Sequence, residues 1–237
     1  MLISIVIPAR NEADNISQTV ADLEKKLKNL LHETLIVNDH STDITAAKIL
    51  ELKKAYPSVK LINNTAKPGF ASALRIGFRA ASGAGVVVVM ADASDDPQTI
   101  PKMTAKFTEG YDLVCGSRYL SGSSKRGGPK AQGFFSFWVN KYLRIFLNFP
   151  TSDASNAFKL YRRDCLLAAK TDEDGFGLSM ELTIKFWQTG CKIIDVPTVW
   201  TGRETGKSKF KFGRAFRSYG RLLKRASAWK LQSYMQR

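Results

Sequence analysis

The sequence predicts an α/β protein, a mainly parallel sheet flanked by helices, and three observations carry that expectation. Short runs such as ISIVIP (3–8) and VVVV (86–89) are β-branched and show no polar alternation, as strands buried on both faces do. Segments of helical periodicity separate them. The connections are short and end in capping or breaking residues such as the Ser/Asp pair before residue 45 and Pro57. Strand–helix units repeated in this way pack as parallel strands joined by crossover helices.

The elements follow in order. ISIVIP is the first strand. From Asn15 onward Ile16, Val20, Leu23, Leu27 and Leu30 recur at helical spacing, with lysines between them. TLIVND (34–39) is a second strand, and STDITAAKILELKKAY supplies a Ser/Asp cap and a helix that ends before Pro57. VKLIN (59–63) is a third strand, and GFASALRIGFRAAS (69–82) is a helix with small residues on one side and Gly83 at its stop. GVVVVMA (85–91) is the fourth strand, TIPKMTAKFTEG a helix, and DLVCGS (112–117) the fifth strand. The second half is less regular. GPKAQGFFSFWVNKYLRIFLNFP (128–150) begins as a glycine-rich loop and becomes an aromatic amphipathic helix, and DASNAFKLYRR (153–163) is a short strand entering from a polar loop. SMELTIKFWQTG (179–190) is a helix, and KIIDVPTVW (192–200) is a strand whose Pro197 marks a sheet edge. A basic helix is expected from Lys211 to about Lys224. The chain therefore reads as one domain, residues 1–212, with a basic helical C-terminal extension, 213–237.

Composition narrows the function classes. Hydrophobic residues make up 44% of the 237, enough for a core and against wholesale disorder. Three dispersed cysteines in apolar surroundings suit a reducing compartment and form no zinc signature, and two histidines are too few for a histidine metal site. MLISIVIP turns polar after Pro8, unlike a cleavable leader, and no apolar run reaches the roughly 20 residues of a membrane span. A cytoplasmic protein is expected, or one resting peripherally on the cytosolic face of a membrane. The net charge of +15, from 36 Lys+Arg against 21 Asp+Glu, favours anionic partners. Nucleic acid is not expected among them, because no recognition motif is present and such a role leaves the acidic residues at 92–96 unexplained. The aromatic helix and the basic tail together suit an anionic lipid surface.

In sheets of this kind ligands bind beyond the carboxyl ends of the strands. Four polar clusters fall on that rim: PARNE after the first strand, NDHSTD after the second, ADASDD after the fourth and GSRY after the fifth. Asp92, Asp95 and Asp96 crowd the end of the most apolar run, where like charges repel. A divalent cation removes that repulsion, and oxygen-only ligands favour a hard ion, Mg²⁺ or Mn²⁺. A helix cap by Asp95 or Asp96, with Pro97 in the first turn, accounts for part of the motif but not for Asp92. Asp39 is placed to accept from nucleobase N–H groups or ribose hydroxyls, and Glu12 to reach a ribose; Ser41 and Asp43 read as caps.

VIPARNEADNI, IVNDHSTDIT, NNTAKPGFASALRIGFRAASG, VVMADASDDPQTI, LVCGSRYL, SDASNAFKLYRR and RETGKSKF (203–210) occur in the order found in family 2 glycosyltransferases of the GT-A fold. The chain resembles most the branch that moves a sugar from a nucleotide sugar to dolichyl or another polyprenyl phosphate, and the resemblance covers roughly residues 1–212. It implies a Rossmann-like GT-A sheet and an inverting transferase. By this resemblance Pro8, Ala9, Glu12 and Asp39 hold the nucleoside, and Asp92 and Asp95 hold a metal on the diphosphate. Arg118, Arg203, Lys207 and Lys209 form a phosphate clamp, with Ser155 and Asn156 at the acceptor entrance. One departure stands out: Ala91 and Ala93 occupy the positions of the branch's Asp-x-Asp motif, and Asp95 replaces its Gln, so Asp92 and Asp95 act from shifted positions. A related subgroup carrying AD-x-SDDP matches better, and its acceptors are less uniform. Glu181 matches an acidic residue on a helix of the family.

A phosphate monoester has a second pKa near 6 and needs no general base to attack. A sugar-hydroxyl acceptor in glycan or cell-envelope synthesis needs one, and Asp95, Asp96 and Asp153 are then the candidates. Two other readings compete. A sugar-phosphate nucleotidyltransferase would carry a glycine-rich loop after the first strand, which PARNEADNI lacks. A degenerate transferase retained to bind a nucleotide sugar or an anionic partner is the alternative from outside enzymology.

Overall fold

The structure is a computed structural model and describes residues 1–203 and 212–235. Its framework is a seven-stranded sheet built from β1 (Ile3–Ala9), β2 (His32–Asn38), β3 (Val59–Asn63), β4 (Gly85–Val88), β5 (Leu113–Ser117), β7 (Lys159–Arg162) and β8 (Ile193–Pro197), in the order β3-β2-β1-β4-β7-β5-β8. All neighbours are parallel except β7, which runs antiparallel between β4 and β5. A two-stranded ribbon pairs β6 (Ser124–Arg126) with β9 (Val199–Thr201).

Helices cover both faces. The aliphatic side chains of β1, β2 and β4 meet α1 (Ile16–Lys26), α2 (Thr45–Ala55) and α4 (Thr99–Thr108) on one face, where Ile16, Val20, Leu23, Ile49, Ile100 and Met103 are fully excluded from solvent. The other face packs on α3 (Phe70–Ala80), α6 (Arg163–Ala168) and α7 (Leu178–Gln188) through Ala71, Leu74, Leu166, Leu178, Leu182 and Phe186. A third cluster joins α5 (Lys130–Leu147), α7 and α8 (Phe212–Met235).

Three differences from the sequence reading have local causes. The fourth strand stops at Val88, not residue 91, because the Met90 N–H is taken by the Asp95 carboxylate (3.0 Å) instead of a neighbouring strand. The run 192–200 divides at Thr198, whose N–H turns to the Ser117 carbonyl (3.1 Å); β8 stays on the sheet edge and β9 leaves to pair with β6. The last helix reaches Met235, well past Lys224, because Tyr219, Leu222 and Ala226 recur at helical spacing and bury against α5 and α7. Trp229 extends that seam onto Trp187, ring centroids 4.7 Å apart.

Away from the carboxyl rim, Glu33 is a buried carboxylate with a full set of donors: Ser4 Oγ (2.6 Å), Ser82 N–H (2.8 Å) and Oγ (2.6 Å), and Lys60 Nζ (2.7 Å). Burial alone would raise its pKa, but these donors outweigh it and take the carboxyl from the ordinary 4.5 to about 2. The stabilisation is therefore fully present above pH 4.5 and is lost as pH falls toward 2. Glu33→Gln is expected to lose about 3 kcal/mol of unfolding free energy at pH 7. Denaturant titrations at pH 7 and pH 3 should show the gap to wild type closing at the lower pH.

Candidate functional site

The carboxyl ends of β1, β2, β4 and β5 open into a cleft of about 1240 Å³. At one end β1 delivers Pro8 and Ala9 to the wall, and the chain turns at Asn11, whose φ of +50° is left-handed. That strain is braced from the neighbouring loop: the Asn11 N–H donates to Ser41 Oγ (3.0 Å), and Asn11 Oδ1 accepts the Thr42 N–H (2.8 Å). Glu12 is thereby turned inward. Its N–H donates to Thr45 Oγ1 (2.9 Å), its carboxylate accepts from Asn15 Nδ2 (3.2 Å), and it forms an ion pair with Arg203. Asp39 follows β2 and is 4% exposed; its carboxylate accepts from Asn64 Nδ2 (2.6 Å) and the Gly69 N–H (3.0 and 3.1 Å), fixing loop 64–69 as a second wall. Pro8, Ala9, Glu12 and Asp39 thus meet at one end of the cleft.

The aspartates after β4 separate into three roles. Asp92 faces the cleft; Oδ1 accepts the Ser94 N–H (3.2 Å) and Oδ2 lies 3.8 Å from Arg203 Nε. Asp95 points away from the cleft, 5% exposed and bonded to the Met90 N–H. Burial, with the Asp92 charge adding to it, pushes the Asp95 carboxyl up to about 7. Asp96 accepts the Gln98 N–H (3.0 Å) in the turn that leads into α4. Among the described residues no three His, Cys, Asp or Glu side chains converge as a metal cluster. Asp92 alone of the three faces the cleft, and a single carboxylate fits a hard divalent ion that leaves its other positions to phosphates and water; Asp95, expected beside it as a ligand, is turned to the Met90 N–H instead.

At the opposite end Arg118, just past β5, lies on the cleft wall with Ser136, Ser155 and Asn156. Its guanidinium grips Asp153 bidentately (Nε–Oδ2 2.7 Å, Nη2–Oδ1 2.9 Å), and Nη2 also donates to Ser155 Oγ (3.2 Å) and Ser136 Oγ (3.3 Å). Burial opposes both charges, yet their attraction prevails: the Asp153 carboxyl is lowered and the Arg118 guanidinium is raised. Asp153 is fully buried, so neither it nor the inward-facing Asp95 stands where a base for a hydroxyl acceptor would have to be. Asn156 Nδ2 donates to the Gly116 carbonyl (2.8 Å).

Several wall residues gave no signal in the sequence. Lys125 and Trp200 come from the β6–β9 ribbon. Loop 172–177 contributes Phe176, stacked on Phe70 at 4.5 Å between centroids, and Glu173, which accepts from Ser218 Oγ (2.6 Å) and Arg221 (2.6 Å) on α8. Glu181 sits outside the cleft and accepts the N–H groups of Asp172 (3.0 Å) and Glu173 (2.9 Å), which gives it a structural part in shaping that loop. A polar, glycine-containing stretch before a helix, TDEDGFG, was the available cue. Lys207 and Lys209 lie outside the described residues.

A mainly parallel sheet with a deep cleft at its carboxyl rim, one cleft-facing aspartate beyond β4 and an arginine at the far end is the architecture of a GT-A glycosyltransferase. Solved structures agree at the level of the fold. The glucosyl-3-phosphoglycerate synthase of Mycobacterium tuberculosis in complex with UDP gives a TM-score of 0.71 at 18% identity, covering 97% of this chain and 80% of that one. The same protein with Mn²⁺, UDP and glucosyl-3-phosphoglycerate gives 0.69 at 19%, covering 94% and 77%. The chain belongs to glycosyl transferase family 2, whose family model matches residues 4–167. Its relatives include a dolichol-phosphate mannosyltransferase of Pyrococcus furiosus, 32% identical over 97% of this chain, of whose length the chain spans 64%. An undecaprenyl-phosphate mannosyltransferase of Micrococcus luteus is 30% identical, covering 90% of this chain and 89% of the relative. A polyprenol monophosphomannose synthase of Mycolicibacterium smegmatis is 32% identical, covering 86% and 79%.

Proposed function

We propose that this protein transfers a sugar from a nucleoside-diphosphate sugar, GDP-mannose or a UDP-sugar, to a polyprenyl phosphate, with inversion at the anomeric carbon. One observation carries the choice of acceptor. Among the described residues every carboxylate on the cleft wall except Asp92 is already engaged: Glu12 with Arg203, Asp39 with Asn64 and Gly69, Asp172 with Arg225, Glu173 with Arg221, and Asp174 with Lys67. A cleft whose described carboxylates, Asp92 aside, are all engaged suits an acceptor that is already a nucleophilic anion.

In this reading Pro8, Ala9, Glu12 and Asp39 cradle the nucleoside. Asp92, backed by Asp95, holds Mg²⁺ or Mn²⁺, which when bound supplies positive charge to the departing diphosphate. Arg203 is positioned by Glu12 and Asp92 to face the same diphosphate. Arg118, Ser155 and Asn156 orient the acceptor phosphate, and Lys207 and Lys209 add donors to the clamp. An acceptor phosphate oxygen attacks the anomeric carbon while the bond to the nucleoside diphosphate breaks, its electron pair staying on the leaving β-phosphate. Calorimetric titration with GDP and UDP, each with and without Mn²⁺, tests the donor half. One nucleotide is expected to bind tightly and only with the metal; binding of neither removes the donor-site assignment.

The long acceptor points to a peripheral membrane contact. Among the described residues no helix is long and apolar enough to cross a membrane. The outer side of α5, however, exposes Phe134, Trp138, Ile145 and Phe146 while its inner side carries Ser136 and Asn140 to the Arg118 network. Lys141 lies 4.9 Å over the Trp138 ring, so a cation accompanies the apolar stripe. Such a face suits the headgroup–acyl boundary of an anionic leaflet. Trp138→Ser with Phe146→Ser is expected to weaken sedimentation with phosphatidylglycerol vesicles about tenfold or more.

A further inference from the structure

Arg118 offers well-directed donors, but its charge is already balanced by Asp153. A phosphate dianion placed against that pair meets little net positive charge, so the acceptor end needs another cation. Of the other cations on the cleft wall, Arg203 pairs with Glu12, Lys67 with Asp174 and Arg221 with Glu173. Among the described residues Arg10, Arg217 and Lys125 form no ion pair with a carboxylate, and of these Lys125 stands in the field of the Arg118–Asp153 pair.

Its position is built by packing. Lys125 registers with Trp200 across the β6–β9 pair, and Nζ lies 5.6 Å from the centroid of that indole. The ring in turn rests on Gly128, where an added Cβ would come 2.8 Å from the indole edge. The far side of the ammonium abuts Gly133 in the first turns of α5: a Cβ there would fall 2.4 Å from Nζ. Burial, and then the like charge of Arg118, lower the Lys125 pKa, with Asp153 opposing, so the ammonium stands within reach of the field of the Arg118–Asp153 pair. A cation held beside another cation, with no anion of its own, gains most when an anion arrives.

We propose that Lys125, held between Trp200 and Gly133, supplies the net positive charge that binds the acceptor's phosphate and selects a phosphate monoester over a neutral acceptor. The inference rests on the polyprenyl-phosphate reading above. Two variants test it, Lys125→Met and Gly133→Ala. Alanine is the better helix former, so Gly133→Ala keeps or raises thermal stability while its methyl displaces the ammonium. For each, KM and kcat are measured with a short-chain polyprenyl phosphate, together with calorimetric affinity for that lipid and for the nucleotide with Mn²⁺.

Lys125→Met is expected to raise the acceptor KM about tenfold or more, with nucleotide affinity unchanged. Gly133→Ala is expected to move the acceptor KM in the same direction at a melting temperature no lower than wild type. A merely structural Lys125 would not produce that combination. Unchanged acceptor affinity in both variants, with wild type active on the lipid phosphate, overturns the inference alone. Weakened nucleotide binding with unchanged acceptor affinity also overturns it, because Lys125 then serves the donor diphosphate. A wild type that uses only hydroxyl acceptors overturns the polyprenyl-phosphate reading itself.

Discussion

Asp153→Ala is expected to cost about 3–5 kcal/mol of unfolding free energy, the largest stability loss of any single change at the cleft. The carboxylate is fully buried and accepts from the Arg118 N–H (3.1 Å), from the Arg118 guanidinium twice, from Ser155 Oγ (3.2 Å) and from the Asn156 N–H (3.2 Å). Removing it strands a guanidinium whose side chain is only 11% exposed and frees the loop that leads into β7. Breaking one side of a buried pair is worse than removing both partners, because the survivor keeps its charge without compensation. The double variant Arg118→Met/Asp153→Ala should therefore lose less stability than the sum of the two single variants. Guanidinium denaturation of the four proteins closes this cycle. A loss below about 1 kcal/mol for Asp153→Ala would show that the pair does not hold the acceptor end together.

The second large effect falls on turnover. Asp92→Asn is expected to lower kcat by about 10²–10³-fold and to remove the Mn²⁺ requirement for nucleotide binding, with little change in stability. Asp92 takes one backbone N–H and otherwise faces the cleft beside Arg203, 3.8 Å away, so the amide leaves the fold intact. Asp95→Asn should weaken metal-dependent binding less, since its carboxylate already serves Met90 inside the protein. Titrating nucleotide against Mn²⁺ for both variants ranks them; the reverse order would make Asp95 the principal ligand and require it to turn outward.

The parallel half of the sheet was legible because burial on both faces leaves an unmistakable record. ISIVIP and VVVV have no polar alternation, whereas VKLIN, the edge strand, exposes Lys60 and Asn63, and helices fill the segments between them. The place of β7 was not legible. Four residues, KLYR, carry no information about direction, which is set by the preceding loop through Asn156 on the Gly116 carbonyl and the buried Lys159 ammonium on the Ala154 carbonyl (3.0 Å). The rim residues could be named from their positions after strands, but their partners could not. Asp153 read as a loop residue and a candidate base until the fold brought Arg118 to it across 35 positions. Asp92 and Asp95 both read as metal ligands, with a helix cap as the other part open to Asp95; only the fold, turning at Ala93 with φ +56°, directs one outward and the other inward. Lys125, in SSKRGG, has the composition of a solvated loop, and its significance depends on an indole 75 positions later reaching it through a strand pairing of three residues.

An acceptor that brings its own negative charge needs no base. The most direct test is to incubate the protein with Mn²⁺, a labelled GDP- or UDP-sugar, and in parallel a short-chain polyprenyl phosphate and the corresponding free polyprenol, then identify the products by mass. A glycosyl phosphopolyprenol is expected from the phosphate and nothing from the alcohol. Its rate should stay flat above the second phosphate pKa of about 6. Transfer to the alcohol at a comparable rate, rising with pH as a base is deprotonated, would contradict it.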